Sequence, residues 1–113
     1  MVRRANLAIR QIDPTKADAT LALSGELDMS TIDALSGQVD TQLQRPLECL
    51  TLDLHDVAFM DSTGLRLLIE LHERAQRENW LLRLIGPRHE AASRVLQITG
   101  ADVALPFERE NTR

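Results

Sequence analysis

The sequence has no tyrosine, one tryptophan, two phenylalanines and a single cysteine. Its only lysine is Lys16. With Trp80, Phe59 and Phe107 scattered along the chain, no aromatic platform for stacking bases is available. The formal net charge is −4, and acidic and basic residues alternate along most of the length, so the basic face expected of a nucleic-acid binder is missing. Cys49, standing alone, excludes an intrachain disulfide and fits a reducing compartment. No apolar run approaches the ~18–20 residues that span a bilayer. The opening Met1-Val2-Arg3-Arg4 turns polar without an apolar segment behind it, so neither a signal peptide nor direct membrane binding is expected, and a cytoplasmic location is. No glycine-rich loop is followed by a lysine, so the residues give no independent support for a nucleotide site, and no cofactor is expected. What remains is an ordinary globular composition, 43% hydrophobic and 27% charged, over 113 residues. That length suffices for one domain with one core.

The hydrophobic spacing changes period along the chain. Asn6 to Ile12 alternates loosely and reads as an edge strand, followed by the turn signal Asp13-Pro14-Thr15. Thr20 to Leu27 alternates more cleanly and is interrupted near Gly25. Ser30 or Thr31 then offers a helix cap before Ile32, Leu35, Val39 and Leu43, a stripe at helical spacing that Pro46 ends; Gly37 weakens it. Leu47 to Leu54 predicts a third strand with Leu50, Leu52 and Leu54 on one face and Cys49, Thr51 and Asp53 on the other. The mixed second face implies that helices cover mainly one side of the sheet. Asp61-Ser62-Thr63 supplies three consecutive capping residues before a long periodic segment to about Asn79. Leu65, Leu68, Ile69 and Ala75 share its apolar face with His72, and Leu67 and Leu71 widen it. Trp80 to Ile85 predicts a strand, His89 to Thr99 a helix stopped by Gly100, and Val103 to Phe107 a short last strand limited by Pro106. Glu108 to Arg113 is a polar tail. Helices alternating with strands in the second half indicate parallel crossovers, and the opening hairpin adds an antiparallel pair.

Two segments are unusual. Ser24-Gly25-Glu26-Leu27-Asp28 ends a strand just before a helix, and Phe59-Met60-Asp61-Ser62-Thr63-Gly64-Leu65 joins a strand to the long helix. Both put small polar residues and a carboxylate at a strand-to-helix junction. In a parallel sheet such junctions gather at the carboxyl edge, so Asp28 and Asp61 are expected to be neighbours.

Gly25-Glu26-Leu27-Asp28, then Met60-Asp61-Ser62-Thr63-Gly64-Leu65, then Val95-Leu96-Gln97-Ile98-Thr99-Gly100 together resemble the STAS-domain pattern of bacterial anti-sigma factor antagonists. The resemblance runs from about Leu7 to Phe107, and Asp-Ser-Thr-Gly-Leu is its most specific part. It implies an α/β fold, a mixed β-sheet with helices packed mainly on one face, in one STAS domain over 1–113 with its core at about 6–107. It also implies a switch. In that family the serine after the aspartate is phosphorylated by an anti-sigma factor that is itself a serine kinase; the unphosphorylated form binds this kinase and frees the sigma factor, and a phosphatase resets it. Carried over by position, the acceptor is Ser62. Thr63 stands where many relatives have a second serine. The partner-binding residues implied are Asp28, Met29, Ser30, Met60, Asp61, Ser62, Thr63, Gly64, Leu65, Arg66 and Leu67.

The residue chemistry suits that role. Ser62 at a helix entrance offers a hydroxyl and a cap, and Gly64 leaves room for a kinase to approach. Leu67 and Leu71, with Met29 and Met60, are candidates for an apolar contact surface beside the switch; the alternative for the two leucines is packing inside the domain. Other readings of the same residues fare worse. In Asp61-Ser62-Thr63-Gly64 an extra residue separates aspartate from glycine, unlike an aspartic-protease signature, and no second copy exists. Met60 occupies the first glycine position a nucleophile elbow needs. His55, His72 and His89 lie on different elements without metal spacing, and Asp28 with Asp61 alone makes a poor cation site. An enzyme is therefore not expected. The competing function is a non-signalling STAS adaptor of a membrane transporter or lipid-transport complex. The exposed edge at Asn6–Ile12 leaves the expected state between monomer and weak dimer.

Overall fold

A computed structural model describes residues 6–12 and 14–108 of the chain. Arg3, Arg4, Asp13 and all of the polar tail but Glu108 lie outside them. The described elements are β1 (Leu7–Ile12), β2 (Asp18–Leu27), α1 (Ile32–Gln42), β3 (Cys49–Met60), α2 (Ser62–Glu78), β4 (Leu81–Ile85), α3 (Glu90–Thr99) and α4 (Ala101–Ala104). The four strands form one mixed sheet in the order β1-β2-β3-β4. β1 runs antiparallel to β2, whereas β2–β3 and β3–β4 are parallel.

Alternation along the strands sets the layering. Leu21 and Leu23 of β2, Leu50, Leu52 and Leu54 of β3, and Leu82 and Leu84 of β4 are buried. The residues between them, among them Cys49, Thr51, Asp53, Leu81 and Arg83, are half-buried or exposed. The helices thus cover mainly one face, as the mixed second face of the third strand implied. Leu35 and Val39 from α1, Leu68, Leu71 and Ala75 from α2, and Ala92 and Leu96 from α3 complete the core. Arg74 of α2 bridges to Asp40 of α1 at 2.7 Å and to Glu78 on its own helix at 3.1 Å. The hydrogen bond to Asp40 raises the guanidinium's pKa above its ordinary value. This exposed pair orients α2 against α1 while adding little to stability, about 0–1 kcal/mol.

Two expected boundaries change. β3 continues six residues beyond Leu54 to Met60. The polar pair His55-Asp56 hides this continuation, because the apolar residues there, Leu54, Val57 and Met60, recur every third position. Register shifts between Ala22 and Ser24 and between Gly25 and Glu26 in the β2–β3 ladder absorb the change of period, and all three side chains stay buried. The expected last strand at Val103–Phe107 is instead the short helix α4 followed by one parallel bridge from Phe107 to Leu84. Gly100 at φ +78° ends α3 and lets the chain restart a helical turn at once. Pro106 accepts from Leu84 N–H at 3.0 Å but has no N–H of its own, so the pairing does not extend into a strand.

Candidate functional site

The site lies where the parallel strands β2 and β3 end side by side. Their register pairs Leu27 with Met60, so the residues that follow, Asp28 and Asp61, leave the sheet at the same edge. Asp61 N–H donates to the Leu27 carbonyl at 3.3 Å and ties the two strand ends together. Asp28 and Asp61 are therefore brought together as expected, each at the entrance to a helix.

Asp61 is the cap of α2. Its backbone is extended, and Oδ1 accepts from Thr63 N–H at 2.9 Å and Gly64 N–H at 3.0 Å. Two of the free donors of the first turn are thereby satisfied. The expectation that Ser62 caps the helix is corrected: a carboxylate one residue earlier already occupies that position. Ser62 is the first residue of the helix, exposed, and its hydroxyl makes no hydrogen bond among the described residues. The serine oxygen is thus presented outward on a backbone held rigid by its neighbour.

Gly64 also has a different role from the one expected. It is buried. A methyl group built on it would lie 2.4 Å from the Leu27 carbonyl oxygen and 2.9 Å from Leu27 Cγ. The glycine lets the first turn of α2 sit directly on the end of β2; it does not open a path for a partner. Gly25 serves the same edge from the other side. Its φ is +121°, and an added Cβ would lie 2.3 Å from the Asn6 carbonyl oxygen. That carbonyl accepts from Glu26 N–H at 2.7 Å, which anchors the start of β1 to the bend in β2.

The Asp28 loop is a second hydrogen-bonded unit. Asp28 Oδ1 accepts from the backbone N–H of Ser30 at 2.9 Å and from its hydroxyl at 2.7 Å. Thr31 is fully buried. Its hydroxyl donates to the Glu26 carbonyl at 2.8 Å and accepts from Asp28 N–H at 3.0 Å. Thr31 stands at the cap position of α1, yet its side chain bonds backward into the loop and not to the helix. Replacing Thr31 with valine keeps the shape and removes the hydroxyl that serves the Glu26 carbonyl and the Asp28 amide. The expected cost is about 1–3 kcal/mol, read as a lower melting temperature by calorimetry. A Thr31→Val protein that melts with the wild type would show that water takes over both groups.

The remaining site residues divide by burial. Met29 is 75% exposed beside Ser30, and Arg66 is exposed on α2 one turn beyond Ser62. Thr63 and Leu67 are half-buried, and Leu67 packs against the core. Met60, at 0% exposure, Leu71, at 4%, and Leu65 belong to the core, so the expected apolar contact surface does not include Met60 or Leu71. The burial of Met60 follows from its place opposite Leu27 in the ladder. Ile69 departs in the other direction: placed on the core-facing arc by periodicity, it is 40% exposed. Among the described residues no group of three His, Cys, Asp or Glu side chains is arranged to hold a metal, and no helix is long and apolar enough to cross a membrane.

Residues 11–106 match the family described as "Mlab, STAS domain". The chain belongs to the STAS-domain family. The STAS fold is equally clear in solved structures. An anti-sigma factor antagonist from Mycobacterium paratuberculosis superposes with a TM-score of 0.76 and 26% identity, covering 92% of this chain and 86% of that one. The anti-sigma factor antagonist SpoIIAA in its unphosphorylated form gives 0.72 and 20% identity, over 91% of this chain and 90% of that one. The Bacillus cell fate determinant SpoIIAA in its phosphorylated form gives 0.65 and 20%, over 91% and 93%. No curated protein matches the sequence. This STAS domain therefore shares its architecture with anti-sigma factor antagonists. Sequence reasoning found the two junctions but missed the buried Thr31 hydroxyl and the packing role of Gly64. A threonine three residues after a turn aspartate was the available signal for the first.

Proposed function

We propose that this STAS domain is a phospho-switched anti-sigma factor antagonist with Ser62 as the acceptor. Its partners are an anti-sigma factor serine kinase and a phosphatase that acts on phosphorylated Ser62, all in the cytoplasm. The domain is a binding module; the transfer chemistry belongs to the kinase. One observation carries the reading: Ser62 presents an exposed hydroxyl that makes no hydrogen bond among the described residues, while Asp61 performs the capping that a serine there would otherwise do. In the transfer, Ser62 Oγ forms a bond to the γ-phosphorus of ATP, the bond to the bridging oxygen of ADP breaks, and the hydroxyl proton passes to a base of the kinase. The partner-binding face comprises Asp28, Met29, Ser30, Asp61, Ser62, Thr63, Arg66 and Leu67, with Met60, Gly64 and Leu65 supporting it from below.

The test is incubation with ATP and anti-sigma factor kinases of the same organism, followed by intact-mass and fragment analysis. One phosphate on Ser62, lost in Ser62→Ala, is the expected result. Phosphate on Thr63, or none from any kinase, would overturn the assignment. A second reading, an adaptor subunit of a membrane transporter or lipid-transport complex, is favoured by the family description, which names Mlab and no sigma factor. Co-purification with such a complex and no phosphate on Ser62 would support it.

A further inference from the structure

We infer that Arg66 is the residue that holds the phosphate of phosphorylated Ser62, so that modification both adds charge to the face and withdraws its cation. The inference rests on Ser62 being the acceptor. Ser62 opens α2 and Arg66 follows four residues later, both exposed. In an α-helix such residues lie about 6 Å apart along the axis on one face. Helical side chains lean toward the N-terminus, a direction that brings Ser62 within reach of an arginine at position 66. An acidic group preceding a basic one at this spacing is also the more favourable order.

Competition for this arginine is weak. Among the described residues Arg74, Arg83, Arg88 and Arg94 are in ion pairs, and Arg45 bonds the backbone of the loop at Thr15, Lys16 and Asp18. Arg66 is in none. Glu70 stands four residues beyond it on the same exposed face, in the weaker order of base before acid. Asp61 Oδ1 is engaged by two backbone amides. The phosphate would thus meet an exposed guanidinium that is in no ion pair among the described residues, at a helix terminus whose partial charge favours the same anion.

The experiment uses the full chain with phosphoserine installed at position 62 during translation, so that no kinase is required. Phosphorus NMR follows the second ionisation of the phosphate, ordinarily near pH 6. Arg66→Gln is expected to raise its midpoint by about 0.15–0.4 on the pH scale relative to the wild type, because the dianion loses its cation. Arg66→Lys should recover part of the difference, and molar salt should remove it. A midpoint in Arg66→Gln within about 0.1 of the wild type would overturn the inference, whether or not any kinase modifies Ser62. Failure of every kinase would instead overturn the acceptor assignment and leave the midpoint comparison standing as a separate result. Because Arg66 is exposed, the unphosphorylated variant is expected to melt with the wild type, which separates charge pairing from folding.

Discussion

Gly64→Ala is expected to lower the melting temperature by roughly 10–15 °C. The added carbon would lie 2.4 Å from the Leu27 carbonyl oxygen and 2.9 Å from Leu27 Cγ, and neither neighbour is free to retreat. Leu27 is fully buried, its carbonyl accepts from Asp61 N–H, and its register with Met60 is fixed by the ladder. Relief would require α2 to move away from β2, breaking the packing of Leu68 and Leu71 as well. Overpacking of this kind costs about 1–3 kcal/mol or more, against total stabilities of about 5–15 kcal/mol. Gly37→Ala is the matching control. That glycine is exposed inside α1 with nothing within 4 Å of the added carbon, so alanine should gain up to about 1 kcal/mol. Calorimetry of the two variants compares helix propensity with close approach directly. If Gly64→Ala melted with the wild type, the contact between α2 and the end of β2 would have to be looser than the geometry states.

Phosphorylation of Ser62 is expected to weaken binding of the anti-sigma factor by more than tenfold while leaving the domain folded. The phosphate brings about −1.5 to −2 charges to a face that already holds Asp28 and Asp61. A partner carboxylate ~6 Å away would be repelled by roughly 1.5–3 kcal/mol at an effective dielectric of about 20–40. Each ~1.4 kcal/mol is a factor of ten in affinity. Within the domain the same charge meets the N-terminus of a seventeen-residue helix, which tolerates it by about 0.3–1 kcal/mol. Titration calorimetry of both forms against the partner reads the first effect. Amide spectra read the second, with changes confined to the Asp28 loop and the first turn of α2. Unaltered affinity would remove the switch, and spectral changes across Leu50, Leu52 and Leu54 would show that it works by refolding and not by local repulsion.

Much of this molecule is legible without coordinates. The alternation of Leu50, Leu52 and Leu54 against Cys49, Thr51 and Asp53 specifies a sheet covered mainly on one face, because a period of two sorts side chains to opposite sides. The periodic run after Asp61 specifies a long helix, and the two junction segments specify a shared edge, because parallel strands end together. Where local pattern failed, a distant partner or a single glycine or proline had overruled it. His55-Asp56 looks like the end of a strand, yet β2 continues beside it and holds it in the ladder. Val103–Phe107 looks like a strand, yet Gly100 restarts a helix and Pro106 offers no amide. Ile69 follows the apolar period of α2, yet it is 40% exposed.

The division at the site has the same origin. Composition and spacing determined by themselves that a serine and two carboxylates stand at helix entrances, since these are properties of neighbours in the chain. The structure selected among bonds that span only two to five residues: Asp61 caps α2, Thr31 turns back into the loop, and Ser62 faces outward. It also decided that Gly64 is a contact and not an opening, and that Met60 belongs to the core. The last two outcomes depend on the approach of β2 to β3 and α2, between residues more than thirty positions apart, and no local spacing encodes that distance.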